Sequence, residues 1–468
     1  MNVAFCSSEV FPFAKTGGLA DVSGALPIAL HRLGVDIRIF LPLYGSIDVK
    51  KFKLRSLSDK VMTTELDGVP VYFLKHDAYF AREGLYGDAQ GDFPDNLERY
   101  AWFCREVFEQ CKTLSFMPNV FHCNEWETAL IPVYLKEKWL RDNFFKKTKT
   151  MMTVHNMAYQ GLFDKEKFSV LGLGASTYKP ETFGFYDRIS LLKAGIVYSD
   201  LLNTVSPQYA KEIQTQEFGC GLEEVIKNHN GGVKGILNGL DSTVWNPATD
   251  IYLEKKYDRF RWQEGKKINK TVLQKVLGLP QRSDVPVMSF IGRLSHQKGM
   301  ELIIENLGRF LKEDIQIVIQ GVGEAVYQRE LEAFISDRNK IVLVFEYNEP
   351  MAHRIYAGSD IFLMPSLFEP CGLTQMISLM YGTAPVVSST GGLVDTIAPF
   401  DGKTGTGNGF RFSPLNAGAF YKEVLHALEV FQRKADWEKL IENGFTGDFT
   451  WDHSAQEYKR SYACVLSA

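Results

Sequence analysis

The sequence predicts an α/β protein built from two doubly wound parallel-sheet domains. Three observations predict it: a strand-loop-helix-strand unit at the start, a restart of the same alternation at Val285, and a polar stretch of weak apolar period between the two series. The length of 468 residues agrees, since domains of roughly 150 residues would number two to four.

Val3-Ala4-Phe5-Cys6 reads as a short buried strand, and Val22, Leu26, Leu30 and Leu33 then recur at helical spacing until Gly34. Val35, Ile37 and Ile39 alternate with Asp36 and Arg38 as the next strand. The helical crossover makes this pair parallel. Similar units follow: Val120-Phe121-His122 before a helix over 128–135, a strand over 150–154 before the His155 loop, and a strand over 201–205 before a helix begun by Pro207. The second series has strands over 285–291, 315–319, 341–345, 361–364 and 385–388, with a helix over 300–311 and helical stretches between the others. The segment from Asn238 to about Lys275, rich in Asn, Asp, Lys and Tyr, is expected to hold the hinge. At the end Trp451, Ala455, Tyr458, Tyr462 and Val465, spaced by three or four, mark an amphipathic helix.

Composition narrows the function. Hydrophobic residues are 45% and charged residues 23% of the chain, as in a globular protein. Lys+Arg of 52 against Asp+Glu of 56 gives a net charge of −4, so nucleic acid is not an expected partner. The seven cysteines are scattered without a Cys-x-x-Cys pair, which argues for reduced thiols and no metal. The first basic residue is Lys15, and the longest uncharged stretch, residues 370–394, is interrupted by glycines and Pro385. No secretory signal or membrane span is expected, and the default location is cytoplasmic.

Loops at strand ends carry the chemistry. Thr16-Gly17-Gly18 and Thr390-Gly391-Gly392 each follow a strand and open a helix, where free amides favour a phosphate or sugar oxygen; a plain tight turn is the alternative. Arg293-Leu294-Ser295-His296-Gln297-Lys298-Gly299 offers a diphosphate both a forked guanidinium and a mobile ammonium, unless these cations only solvate a loop. Phe368-Glu369-Pro370-Cys371-Gly372-Leu373-Thr374-Gln375 sets one carboxylate in an uncharged run. Such a carboxylate needs a cation or several donors, which sugar hydroxyls supply; capping a helix is the alternative. His155-Asn156-Met157-Ala158-Tyr159-Gln160-Gly161 brings several polar groups to one strand end, although a single histidine is equally a structural residue. Gly321-Val322-Gly323 lacks the third glycine of a dinucleotide fingerprint, and no serine-triad or metal motif is present.

Together Lys15-Thr16-Gly17-Gly18-Leu19-Ala20-Asp21, His155-Asn156 with Tyr159-Gln160-Gly161, Asn238-Gly239, Arg293 with Gln297-Lys298-Gly299, residues 369–375 and Thr390-Gly391-Gly392-Leu393 resemble the bacterial glycogen synthase and starch synthase family. The resemblance spans nearly the whole chain. It implies the GT-B architecture, two Rossmann-like domains facing a central cleft: residues 1–240 on the acceptor side, residues 241–450 on the donor side, and a helix over 451–468 crossing back to the first domain. It implies glucosyl transfer from ADP-glucose, or UDP-glucose, to the non-reducing end of an α-1,4-glucan with retention of configuration and without a cofactor.

The resemblance also implies roles. Arg293 and Lys298 would neutralise the donor diphosphate, Glu369 with the amides of Cys371, Gly372 and Leu373 would hold the glucose, and Thr374 would meet a phosphate. Tyr347 would stack on the base, while Lys15, Gly17, Gly18, Asn156, Asn238, Gly391 and Gly392 complete the donor set. His155 would stabilise the sugar cation, largely through its backbone carbonyl. One segment departs from the family: Glu125-Trp126-Glu127 replaces the usual Asp-Trp-His, so altered acceptor contacts are expected at Glu125, with Asp21 and Phe93 as further acceptor candidates. Other readings of the same architecture are a transferase making sucrose, trehalose or a lipid-linked glucoside, and a catalytically silent glucan-binding protein. A phosphorylase of this architecture would need a much longer chain and a recognisable cofactor-lysine segment.

Overall fold

A computed structural model describes residues 1–335 and 339–467. The chain forms two compact units, residues 1–239 with 451–468, and residues 240–450.

The first unit is built on a nine-stranded sheet. Across it run Val233–Gly235, Leu201–Thr204, Lys149–Val154, Val120–Asn124, Asn2–Cys6, Asp36–Pro42 and Val69–Leu74, all parallel. Asn2–Cys6 is buried from Val3 onward, and its unbroken apolar run is what a central parallel strand requires. The Gly18–Arg32 helix buries Ala20, Val22, Leu26, Ala29 and Leu30, and Gly34 at φ +82° follows its end. An antiparallel extension, Arg55–Ser58 with Val61–Leu66 on Val69–Leu74, continues the sheet. Its hairpin turn is Asp67-Gly68, with both φ values positive.

The Trp451–Ser467 helix belongs to this unit, buries Trp451, Ala455, Tyr458, Tyr462 and Val465, and packs beside Gly18–Arg32. Tyr462 Oη lies 2.6 Å from His122 Nδ1, Asn203 Nδ2 donates to Tyr458 Oη at 3.2 Å, and Ser454 Oγ donates to the Leu237 carbonyl at 2.6 Å. Gly239 is required here, because a Cβ would stand 2.6 Å from the Trp451 backbone. Burial pushes His122 down to about 3, so it packs as a neutral ring under these tyrosines.

The second unit holds six parallel strands in the order Ile341–Val344, Gln316–Gln320, Val287–Ile291, Ile361–Met364, Ala384–Ser388 and Phe410–Phe412. Its first strand is central, and the order reverses between Val287–Ile291 and Ile361–Met364. In open α/β sheets ligands bind outside the carboxyl ends of the strands at such a reversal.

One segment read as lacking an apolar period is helical: Trp262–Val276 buries Lys266, Asn269, Lys270 and Gln274 along with Leu273. Its inward face is largely polar and satisfied internally, which hides the period. Lys266 Nζ donates to the Tyr356 and Ser359 carbonyls and to Thr383 Oγ1, and burial pushes this lysine down to about 7. Among the described residues no helix is long and apolar enough to cross a membrane.

Candidate functional site

In the second unit the two chain segments at the sheet reversal are cross-braced. The Leu367 amide donates to the Gln297 carbonyl at 2.9 Å, and Gln297 Nε2 donates to the Phe368 carbonyl at 3.3 Å. Gly299, at φ +70°, lets the loop close, since a Cβ there would meet the Pro365 oxygen at 2.0 Å. The bracing brings Lys298 Nζ to 2.6 Å from Glu369 Oε2, which also accepts from Ser366 Oγ at 3.0 Å. Glu369 is buried, so this cation and hydroxyl are what make its charge tolerable. It does not cap a helix; the next one spans Thr374–Met380.

The surrounding groups follow. Arg293 is exposed and has no carboxylate partner among the described residues. Tyr347 lies just beyond Ile341–Val344 and is 76% exposed. Gly391 and Gly392 press against the acidic loop: a Cβ would stand 1.9 Å from the Glu369 oxygen and 2.1 Å from the Cys371 oxygen, respectively. These glycines serve close packing of backbone on backbone. Cys371 is buried, Gly372 has φ +75°, and Thr374 Oγ1 contacts Met364 Sδ at 3.3 Å.

In the first unit the order also reverses, between Asn2–Cys6 and Val120–Asn124, and His155 stands beyond the next strand, Lys149–Val154. Asn124 Nδ2 donates to the Cys6 carbonyl at 3.0 Å, which turns its Oδ1 toward His155 Nε2, also at 3.0 Å. Burial pushes His155 down to about 3, so the ring is neutral, and the Asn124 Oδ1 acceptor favours the tautomer with its proton on Nε2. Glu125 Oε1 accepts from the His155 amide at 2.5 Å and the Asn156 amide at 3.0 Å. Trp126 lies over Gly161, where a Cβ would meet the indole at 2.5 Å.

The N-terminal loop carries an anion of its own. Glu9 accepts from the Thr16 amide at 2.6 Å, the Gly17 amide at 3.1 Å, Thr16 Oγ1 at 2.6 Å and Tyr86 Oη at 2.7 Å. The Gly17 amide expected to meet a ligand therefore meets this carboxylate. Lys15 Nζ is 2.6 Å from Asp21 Oδ1, a part-exposed ion pair that joins a residue expected at the donor to one expected at the acceptor. Around Gly17 and Gly18 there is open space.

Residues 2–228 match the family model described as starch synthase catalytic domain, and residues 277–444 match glycosyl transferases group 1. A glycogen synthase of Geotalea uraniireducens (strain Rf4) is 43% identical, spanning 100% of this chain and 99% of that one. Another, of Geotalea daltonii (strain DSM 22248 / JCM 15807 / FRC-32), is 41% identical over 100% of this chain and 99% of its own. The catalytic domain of starch synthase IV from Arabidopsis thaliana, solved bound to ADP and acarbose, superposes with a TM-score of 0.91 at 33% identity, covering 100% and 99% of the two chains. The chain belongs to the glycogen and starch synthase family.

As a member of this family it has the GT-B fold and is a retaining glucosyltransferase. One expectation for this glycogen and starch synthase chain takes a different form in the structure. Glu125 was expected to contact the acceptor, but one of its oxygens is committed to backbone amides and the other is buried without a partner among the described residues. Phe93 is half-buried with the Arg82 and Arg99 guanidiniums each 4.9 Å from its ring. Asn238 is buried with Oδ1 unpartnered among the described residues.

Sequence reasoning missed Glu9, Asn124 and Ser366. The signal for Ser366 was its place three residues before Glu369 in the same uncharged loop; nothing local marked the other two. No group of three or more His, Cys, Asp or Glu among the described residues is arranged to hold a metal ion.

Proposed function

We propose that the protein transfers glucose from ADP-glucose to the non-reducing end of an α-1,4-glucan, elongating glycogen in the cytoplasm. The observation that carries this reading is the Lys298–Glu369 pair at the sheet reversal, beside an Arg293 with no carboxylate partner among the described residues. Lys298 spends one N–H on Glu369 and keeps two for a diphosphate, and Arg293 offers its fork. Both cations act on the charge that grows as the glycosidic bond breaks. Glu369 then accepts from the glucose hydroxyls, with Cys371, Gly372, Leu373 and Thr374 on the same loop, and Tyr347 stacks on the base. Lys15, Gly18, Asn156, Asn238, Gly391 and Gly392 remain the other donor-side assignments.

On the first unit His155, held neutral, offers the cationic sugar carbon its carbonyl oxygen without adding positive charge. The departing phosphate oxygen takes the proton of the incoming hydroxyl on the same face, which retains the α configuration. Asp21 and Phe93 are assigned to the acceptor side. The ADP and acarbose bound by the plant starch synthase support a nucleoside-diphosphate glucose donor and a glucan acceptor here. Seven free cysteines, five of them buried, support a reducing compartment.

Steady-state kinetics with ADP-glucose and UDP-glucose on a glycogen primer test the proposal. A higher kcat/KM for ADP-glucose and an α-1,4-linked product are expected. A preference for UDP-glucose would overturn the donor assignment, and a β-linked product the same-face chemistry.

A further inference from the structure

We infer that Asn124 and Glu125 are positioning residues for His155, which they hold from two sides: Asn124 fixes its ring and Glu125 fixes its peptide. The inference deepens the proposed function and rests on it.

The geometry is local. Glu125 Oε1 accepts from two successive amides, those of His155 at 2.5 Å and Asn156 at 3.0 Å. The Asn156 amide belongs to the same peptide plane as the His155 carbonyl, and in a trans peptide the N–H and C=O point in opposite directions. An acceptor fixed on the N–H therefore aims the His155 oxygen away from Glu125. The bond also polarises the peptide, raising the partial negative charge on that oxygen. Asn124 acts on the ring: with Nδ2 spent on the Cys6 carbonyl, its Oδ1 selects the Nε2–H tautomer of His155.

The backbone shows the same emphasis. Glu125 has φ +61°, an unfavourable conformation for a residue with a side chain, at the junction of the Val120–Asn124 strand and the helix that follows. The turn keeps the carboxyl directed back at residues 155 and 156, and Thr128 Oγ1 braces it by donating to the Asn124 carbonyl at 2.7 Å. Burial pushes Glu125 up to about 8, so near neutral pH the accepting oxygen belongs largely to an uncharged acid. Glutamine reproduces that group.

Three variants test this in the full chain. Glu125→Met fills the space but offers no acceptor, and Asn124→Ala removes the ring's partner. Each should lower kcat by roughly tenfold or more with the KM for ADP-glucose and glycogen within about threefold of wild type, because the substrate contacts remain. Glu125→Gln should restore kcat to within about threefold. A folded Glu125→Met or Asn124→Ala enzyme with wild-type kcat overturns the inference, as does a loss confined to KM, which would make these residues substrate contacts. If Glu125→Met does not fold, Asn124→Ala decides by the same criterion. Wild-type protein that transfers no glucose would instead defeat the underlying function, and the two failures are thereby distinct.

Discussion

Lys298 Nζ and Glu369 Oε2 lie 2.6 Å apart although 71 positions separate them in sequence. The pair joins two strand-end loops, so its charge chemistry and its structural role are inseparable. Removing either member exposes both.

Lys298→Ala should lower kcat/KM by roughly two to four orders of magnitude, as expected for loss of one preorganised cation on a leaving group. It should also lower Tm, because among the described residues Glu369 then keeps Ser366 as its one side-chain partner. Kinetics and calorimetry on one preparation check both. An unchanged rate in folded protein would show that the lysine only neutralises Glu369.

Glu369→Gln keeps the size and one acceptor oxygen while removing the charge. A kcat loss larger than the change in KM is expected. The double variant with Lys298→Ala should fall short of the product of the single effects, since the two residues touch.

Gly392→Ala should disturb the acidic loop, because the new Cβ would sit 2.1 Å from the Cys371 oxygen. We expect kcat to drop by about tenfold or more, in line with the sensitivity of bound geometry to small displacements. Gly18→Ala meets nothing within 4 Å, and its Tm should match wild type. A Gly392→Ala enzyme with normal kcat would show that the loop has room to move.

Glu125 links stability to pH. Burial, with Glu9 adding repulsion, outweighs the two amide hydrogen bonds and pushes it up to about 8 from its ordinary value of 4.5. Between those values the folded state binds the extra proton, so this group's contribution is present below about 4.5 and is lost as pH rises through about 8. The Tm of Glu125→Gln relative to wild type should therefore rise from pH 5 to pH 9. A constant difference across that range would count against a neutral buried acid.

Deleting the chain after Asp448 removes Tyr458 and Tyr462 from His122 and Asn203. A marked loss of Tm or solubility is expected. The milder Tyr462→Phe should cost about 1 kcal/mol, the usual value of one buried hydrogen bond. A truncated protein with wild-type Tm, kcat and KM would make the helix dispensable.

Much of the architecture was legible because parallel strands are buried on both faces and so read as apolar runs: Val3 to Cys6 and Ile361 to Met364 are examples. The Trp451–Ser467 stripe was legible for the complementary reason, one apolar face at helical spacing. Trp262–Val276 was not, because a lysine satisfied by carbonyls looks from sequence like a surface lysine. The hairpin after Asp36–Pro42 carried its signal in Asp67-Gly68, which the reading passed over. At the site, Lys298 and Glu369 were found as separate motifs, but their pairing needed the fold. Glu9 and Asn124 were invisible because hydrogen bonds to backbone amides and carbonyls leave no pattern in side-chain types.

The division of the first unit, residues 1–239 completed by 451–468, sets the order of events during synthesis. The ribosome must make the whole of 240–450 before the tyrosines that cover His122 exist. At elongation speeds of about 5–20 residues per second that delay is on the order of 10–40 s, far longer than a helix or hairpin takes to form. For that interval the nascent chain presents an unfinished groove over His122 and Asn203. Chains stalled at residue 450 should be cut by protease within the first unit where the completed protein resists, and equal resistance would show that the last helix arrives at an already finished fold.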